Sequence, residues 1–86
     1  MTMSAKVLLF GKLRDAFGAD AVAMPEGVES VRDLRIALGV AHPHLAALVS
    51  APSVRVAVNQ ELVADEITTL IGPDDEVALL PPLSGG

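Results

Sequence analysis

The chain has 86 residues, enough for one domain with a single core, and it has no cysteine, which excludes disulfide and cysteine-metal staples and any side chain able to carry a persulfide. Six basic residues stand against eleven acidic ones, for a formal charge of −5, and Phe10 and Phe17 are the sole aromatics, a balance that argues against nucleic acid and suits a basic protein partner. No apolar run approaches the length of a membrane span and Met1 to Lys6 lacks signal-peptide character, so a cytoplasmic protein is expected, with Met1 and Met3 as alternative starts.

Lys6 to Phe10 is an apolar run without polar alternation, as expected of a strand at the centre of a sheet. Gly11 breaks it. Leu13 and Phe17, four apart, then mark one or two helical turns stopped by Gly18. Asp20 to Met24 reads as a modest strand ended by Pro25. Ser30 stands as an N-cap with Asp33 three residues on, a capping box with Asp in place of Glu. Val31, Leu34, Ala37 and Leu38 form the apolar face of the main helix, which Gly39 is expected to close. His42 to Val49 reads as a shorter second helix with Pro43 at its first position and Leu45, Leu48 and Val49 facing inward. His42 and His44 do not make a metal site, because they point two ways from a helix start and have no cysteine or carboxylate beside them.

Val54, Val56 and Val58 alternate with Arg55 and Ala57, which is the signature of a half-buried strand. Asn59-Gln60-Glu61 supplies turn chemistry, and Leu62-Val63 begins a return strand. Asp65 to Ile71 is expected to form a single helical turn with Ile67, Leu70 and Ile71 apolar. Gly72-Pro73-Asp74-Asp75 then turns the chain into a last strand, Glu76 to Leu80, which Pro81 and Pro82 stop because neither can donate to a ladder. From Pro81 to Gly86 an extended chain covers about 18 to 20 Å, enough to carry the terminal carboxylate into another protein. Gly85-Gly86 lacks any Cβ, so it can thread a narrow channel and leaves the last carbonyl carbon open to attack. Arg14, Asp33 and Glu61 read as surface charges rather than acid or base catalysts. The element order fits an α+β fold, a mixed sheet of four or five strands with one principal helix across it and the first and last strands adjacent and parallel.

Phe10-Gly11-Lys12-Leu13-Arg14-Asp15-Ala16-Phe17-Gly18, Val56-Ala57-Val58-Asn59-Gln60 and the final Gly72 to Gly86 together resemble the small, sulfur-carrier subunit of molybdopterin synthase. The resemblance spans the chain and implies the ubiquitin-like β-grasp fold over residues 1–80, with 81–86 as an extended tail. It implies that Gly86 is adenylated with ATP by an activating enzyme resembling those of ubiquitin, and that sulfur displaces AMP to leave a thiocarboxylate. The tail (Pro81, Pro82, Leu83, Ser84, Gly85, Gly86) would then deliver sulfur to cyclic pyranopterin monophosphate in the large catalytic subunit. The chain would be a non-catalytic co-substrate subunit with no bound cofactor or metal. Its implied partners are the large subunit, as a heterotetramer, the adenylyltransferase and a sulfur donor protein. Phe10, Arg14, Leu62 and Leu80 are the implied partner-contacting residues. Leu79 and Leu80 depart from the aromatics that the family often carries before Pro-Pro. Another sulfur carrier, for thiazole or transfer-RNA thiolation, a ubiquitin-like protein modifier, and a purely structural ubiquitin-like module remain alternatives.

Overall fold

A computed structural model of the chain describes residues 6–82. Its elements run β1 (Lys6–Leu9), α1 (Gly11–Phe17), β2 (Ala21–Ala23), α2 (Val31–Ala41), a 3₁₀ turn (Pro43–Leu45), α3 (Ala46–Ser50), β3 (Arg55–Val58), β4 (Glu61–Leu62) and β5 (Val77–Leu80). The five strands form one mixed sheet in the order β2-β1-β5-β3-β4. β1 and β5 lie parallel at its centre, with Val7 opposite Val77 and Leu9 opposite Leu79, as the sequence implied. β3 pairs antiparallel with β5, and β2 with β1.

One layer of helix covers one face. Val31, Leu34 and Leu38 of α2 are fully buried in a single cluster with Val7, Leu9, Val56, Val77 and Leu79 from the three central strands. Removing this aliphatic surface from water is the main driving force available to a chain with so few aromatics. The start of α2 forms the expected capping box: Ser30 Oγ accepts from the Asp33 N–H at 3.1 Å, and Asp33 Oδ2 accepts from the Ser30 N–H at 3.2 Å.

Several boundaries differ from the expectations. β1 ends at Leu9, and Phe10 becomes the N-cap of α1, whose C-cap Gly18 adopts φ 74° and donates to the Arg14 carbonyl. Gly39 does not close α2, which runs to Ala41 with His42 as its cap. A Cβ at Gly39 would sit 3.5 Å from the Ala46 Cβ, an ordinary van der Waals contact, so Gly39 is an interior helical position beside α3 rather than a helix stop. The second helix divides into the 3₁₀ turn and the short α3. β3 starts one residue late, at Arg55, although Val54 and Val56 point into the core as expected and Val58 is half-buried.

Residues 65–71 contain the single helical turn expected, closed by the Thr69 N–H on the Asp65 carbonyl at 3.1 Å and not continued into a helix. Ile67 and Leu70 are exposed, and Ile71 alone of the three packs on the core. The segment is held by its backbone: the Glu66 and Thr69 carbonyls accept from the N–H groups of Arg32 and Val31, and Ile71 N–H donates to Glu29. It therefore caps the otherwise unpaired first turn of α2, which an apolar pattern cannot reveal.

Candidate functional site

The strand register determines where the tail leaves. Because β5 runs parallel to β1 and is flanked by β3, Leu80 lies opposite Arg55 and the chain exits the sheet at the end where β1 hands over to α1. Pro81 packs at that corner: a Cβ on Gly11, which has φ +56°, would fall 2.9 Å from Pro81 Cγ. Only a residue without a side chain permits this approach unstrained, so Gly11 both starts α1 and makes room for the root of the tail. Pro81 is half-buried and Pro82 exposed. Leu83, Ser84, Gly85 and Gly86 lie outside the described residues.

The sheet face opposite α2 carries a small aliphatic surface. Alternation sends Ala57 of β3 and Ala78 of β5 to this side, where they remain 7 % exposed, while Leu62 of β4, opposite Ala57, is 57 % exposed and Phe10 47 %. Phe10, Leu62 and Leu80 share a hollow of about 280 Å³ floored by Ala57 and Ala78. A second hollow, of about 370 Å³, lies between Leu62, Leu80, Pro52, Arg55, Pro81 and Pro82. Leu62 and Leu80 are common walls, so the apolar surface runs continuously to the root of the tail. The structure thus brings together three of the four expected contact residues. Arg14 stands apart on α1, lining neither hollow, with its Nε 3.8 Å from Asp20 Oδ1 in an exposed ion pair.

The turn that shapes this face is closed by side chains. Asn59 and Gln60 have φ of 52° and 69°, as a two-residue hairpin loop requires. The Asn59 amide donates to Asp75 Oδ1 at 3.0 Å, and its Oδ1 accepts from the Glu76 N–H at 3.0 Å. Asp75 Oδ2 also accepts from the Gly72 N–H at 2.7 Å. Those two hydrogen bonds, the Gly72 one foremost, favour the ionised form and hold the Asp75 carboxyl below its ordinary range.

Other candidate side chains have structural employment. Asp33 completes the capping box of α2 with Ser30, and His42 packs edge-on against Phe17 with ring centroids 5.0 Å apart. Among the described residues no three His, Asp or Glu side chains are placed to hold a metal ion. Sequence reasoning missed Arg35, whose fork meets both Glu66 oxygens at 2.7 and 2.8 Å and also donates to the carbonyls of Val49, Ala51 and Val54. It also passed over Arg55, read simply as the polar step in an alternating strand.

A scan against family models matches the ThiS family over residues 7–86. The chain belongs to the ThiS family. This ThiS-family chain is similar to molybdopterin synthase sulfur carrier subunits from Chlamydomonas reinhardtii, 35 % identical with 98 % of this chain and 100 % of the relative covered, and from Escherichia coli, 33 % identical with 94 % and 98 % covered. A third from Dictyostelium discoideum is 27 % identical over the whole of both chains. Among solved structures, the fold is like that of small archaeal modifier protein 1 from Haloferax volcanii, with a TM-score of 0.76 and 32 % identity over 98 % of this chain and 100 % of that one. It also resembles, in fold, a chain in the complex of subunits 1 and 2 of molybdopterin-converting factor from Helicobacter pylori, at TM-score 0.65 and 21 % identity over 98 % and 100 %. The expected ubiquitin-like β-grasp and the resemblance to molybdopterin synthase sulfur carriers are both met by these relationships.

Proposed function

We propose that this ThiS-family chain is the sulfur-carrier subunit of molybdopterin synthase, acting in molybdenum cofactor biosynthesis with the carboxylate of Gly86 as its sulfur-bearing group. The observation that carries the reading is near end-to-end similarity to three molybdopterin synthase sulfur carriers, within a family match that runs through Gly86. The chemistry of the chain agrees. A free carboxylate is a poor acyl donor; attack of its oxygen on the α-phosphorus of ATP releases pyrophosphate and leaves a mixed anhydride, from which a sulfur nucleophile expels AMP. No cysteine competes for the sulfur.

What the domain supplies is position. The central parallel pair β1 and β5 fixes the exit of Pro81-Pro82, and the two prolines, each with a fixed φ, stiffen the root of the tail. The aliphatic face beside that exit offers a docking surface for the large subunit, a partner supported by the fold likeness to the Helicobacter pylori complex. Catalytic groups then come from the partner, which must stabilise both the thiocarboxylate and an anionic substrate. The activating enzyme, the sulfur donor protein and the ATP it consumes belong to the same proposal.

The likeness to small archaeal modifier protein 1 favours a second reading, in which the activated Gly86 carbonyl is attacked by a lysine amine and the chain becomes a protein modifier. The two readings separate in a reconstituted mixture of the chain, activating enzyme, ATP, sulfur donor, large subunit and cyclic pyranopterin monophosphate. The carrier reading predicts molybdopterin formation that is lost when Gly86 is deleted, because Gly85 then stops about 3.3 Å short of the reacting centre. Conjugates to lysines with no molybdopterin formed would establish the modifier instead.

A further inference from the structure

We infer that Arg55 is a specificity-determining contact, pairing with a carboxylate at the rim of the cleft in the large subunit that receives the tail; this rests on the carrier reading above. The position of Arg55 is the first argument. It pairs across the ladder with Leu80, the last strand residue before Pro81, and alternation with the buried Val54 and Val56 sends its side chain to the open face of the sheet. There it walls the 370 Å³ hollow together with Leu62, Leu80, Pro81 and Pro82. A protein that draws in the tail must pass over this hollow, since its wall is the root of the tail.

The second argument is what Arg55 lacks. Among the described residues it makes no ion pair and no side-chain hydrogen bond, although eleven acidic residues are available in the chain. Arg35 is locked to Glu66, and Arg14 is paired with Asp20. Of the cations in the described residues, Arg55 alone lines the apolar hollows. A guanidinium there stays hydrated in the free chain. When an aliphatic interface closes over it, the lost water must be replaced by an acceptor, and an uncompensated cation would oppose docking. A planar five-donor fork is best matched by a carboxylate, which identifies the occupant.

The pairing also addresses specificity. A net charge of −5 draws in any basic protein, but a single cation against the tail root rewards only a partner with an acidic group at that spot, and so sets register and identity.

The test measures binding of the chain to the large molybdopterin synthase subunit of the same organism, at several salt concentrations, alongside adenylation by the activating enzyme. Arg55→Ala is expected to raise Kd about tenfold and Arg55→Glu about a hundredfold, with Arg55→Lys between wild type and Arg55→Ala. The dependence of association rate on salt should change in Arg55→Ala and Arg55→Glu, a readout that lost packing would not move. Adenylation should stay within about twofold, and urea midpoints should match the wild type because Arg55 is exposed; Arg55→Gln provides a second variant of similar size. Wild-type affinity in Arg55→Glu, an unchanged salt dependence, or a loss confined to adenylation would overturn the inference. If the wild-type chain itself fails to bind the large subunit, the carrier reading falls first.

Discussion

Replacing Arg35 by Met is expected to destabilise the domain by about 2 to 4 kcal/mol, the largest effect of any charged position described. The side chain of Arg35 is 12 % exposed and that of its partner Glu66 28 %. Its fork makes five hydrogen bonds, two to the Glu66 carboxylate and three to the carbonyls of Val49, Ala51 and Val54, and so ties α2 to the end of α3, to the loop before β3 and to the 65–71 turn. Removing one partner of a fully buried pair costs about 3 to 5 kcal/mol. Water can reach Glu66 in part, which reduces that figure, while the stranded carbonyls add back some of it. Met keeps the aliphatic stem, so the loss reports the fork rather than a cavity. A domain of this size has roughly 4 to 13 kcal/mol in total, so the melting temperature should fall by about 10 to 25 °C. Urea unfolding with an unchanged slope and a lowered midpoint is the measure. A shift below about 0.5 kcal/mol would show that these bonds are exchanged for water at no cost and that the clamp does not hold the loops.

Leu34→Ala should cost about 2 to 5 kcal/mol in the same assay, since Leu34 is fully buried, and a few tenths would mean that the site collapses around the gap. Leu62→Glu should leave the melting temperature nearly unchanged and weaken co-purification with the large subunit, because Leu62 is 57 % exposed on the open face; lost folding would make it core. Gln60→Gly should stabilise by about 0.5 kcal/mol by relieving a positive φ, and destabilisation would show that the turn is not strained. Asp75 has a depressed folded pKa, so its stabilising contribution is present above the unfolded value near pH 4 and is lost as pH falls through the lower folded value. Asp75→Asn should therefore be less stable than wild type at neutral pH, with the gap closing in acid; a gap independent of pH would refute the assignment.

The parts of this structure legible in the sequence are those where burial and local pattern agree. The alternation of Val54, Val56 and Val58, the unbroken apolar run before Phe10 and the Ser30-Asp33 cap were each readable, and they place α2 across a sheet centred on β1 and β5. Gly39 misled because a glycine near a helix end is a stop only where it takes a positive φ, as Gly18 does, and Gly39 keeps a negative one inside α2. Ile67 and Leu70 stay exposed although apolar, because the 65–71 segment is held by its backbone carbonyls, which carry no residue signature. Phe10, Leu62 and Leu80 could be grouped through family resemblance, and the structure brings them to one surface. Arg35 and Arg55 look alike as sequence letters, since one becomes a clamp and the other an unpaired surface cation solely through which face of its element each occupies.

The central claim places sulfur on one atom group, and the intact mass of the chain tests it. After incubation with the activating enzyme, ATP and the sulfur donor, replacement of one Gly86 carboxylate oxygen by sulfur should raise the mass by about 16 Da, and the chain without Gly86 should show no change. An unshifted wild-type mass under conditions where the activating enzyme forms the adenylate, or the same shift in a chain lacking both Gly85 and Gly86, would contradict it.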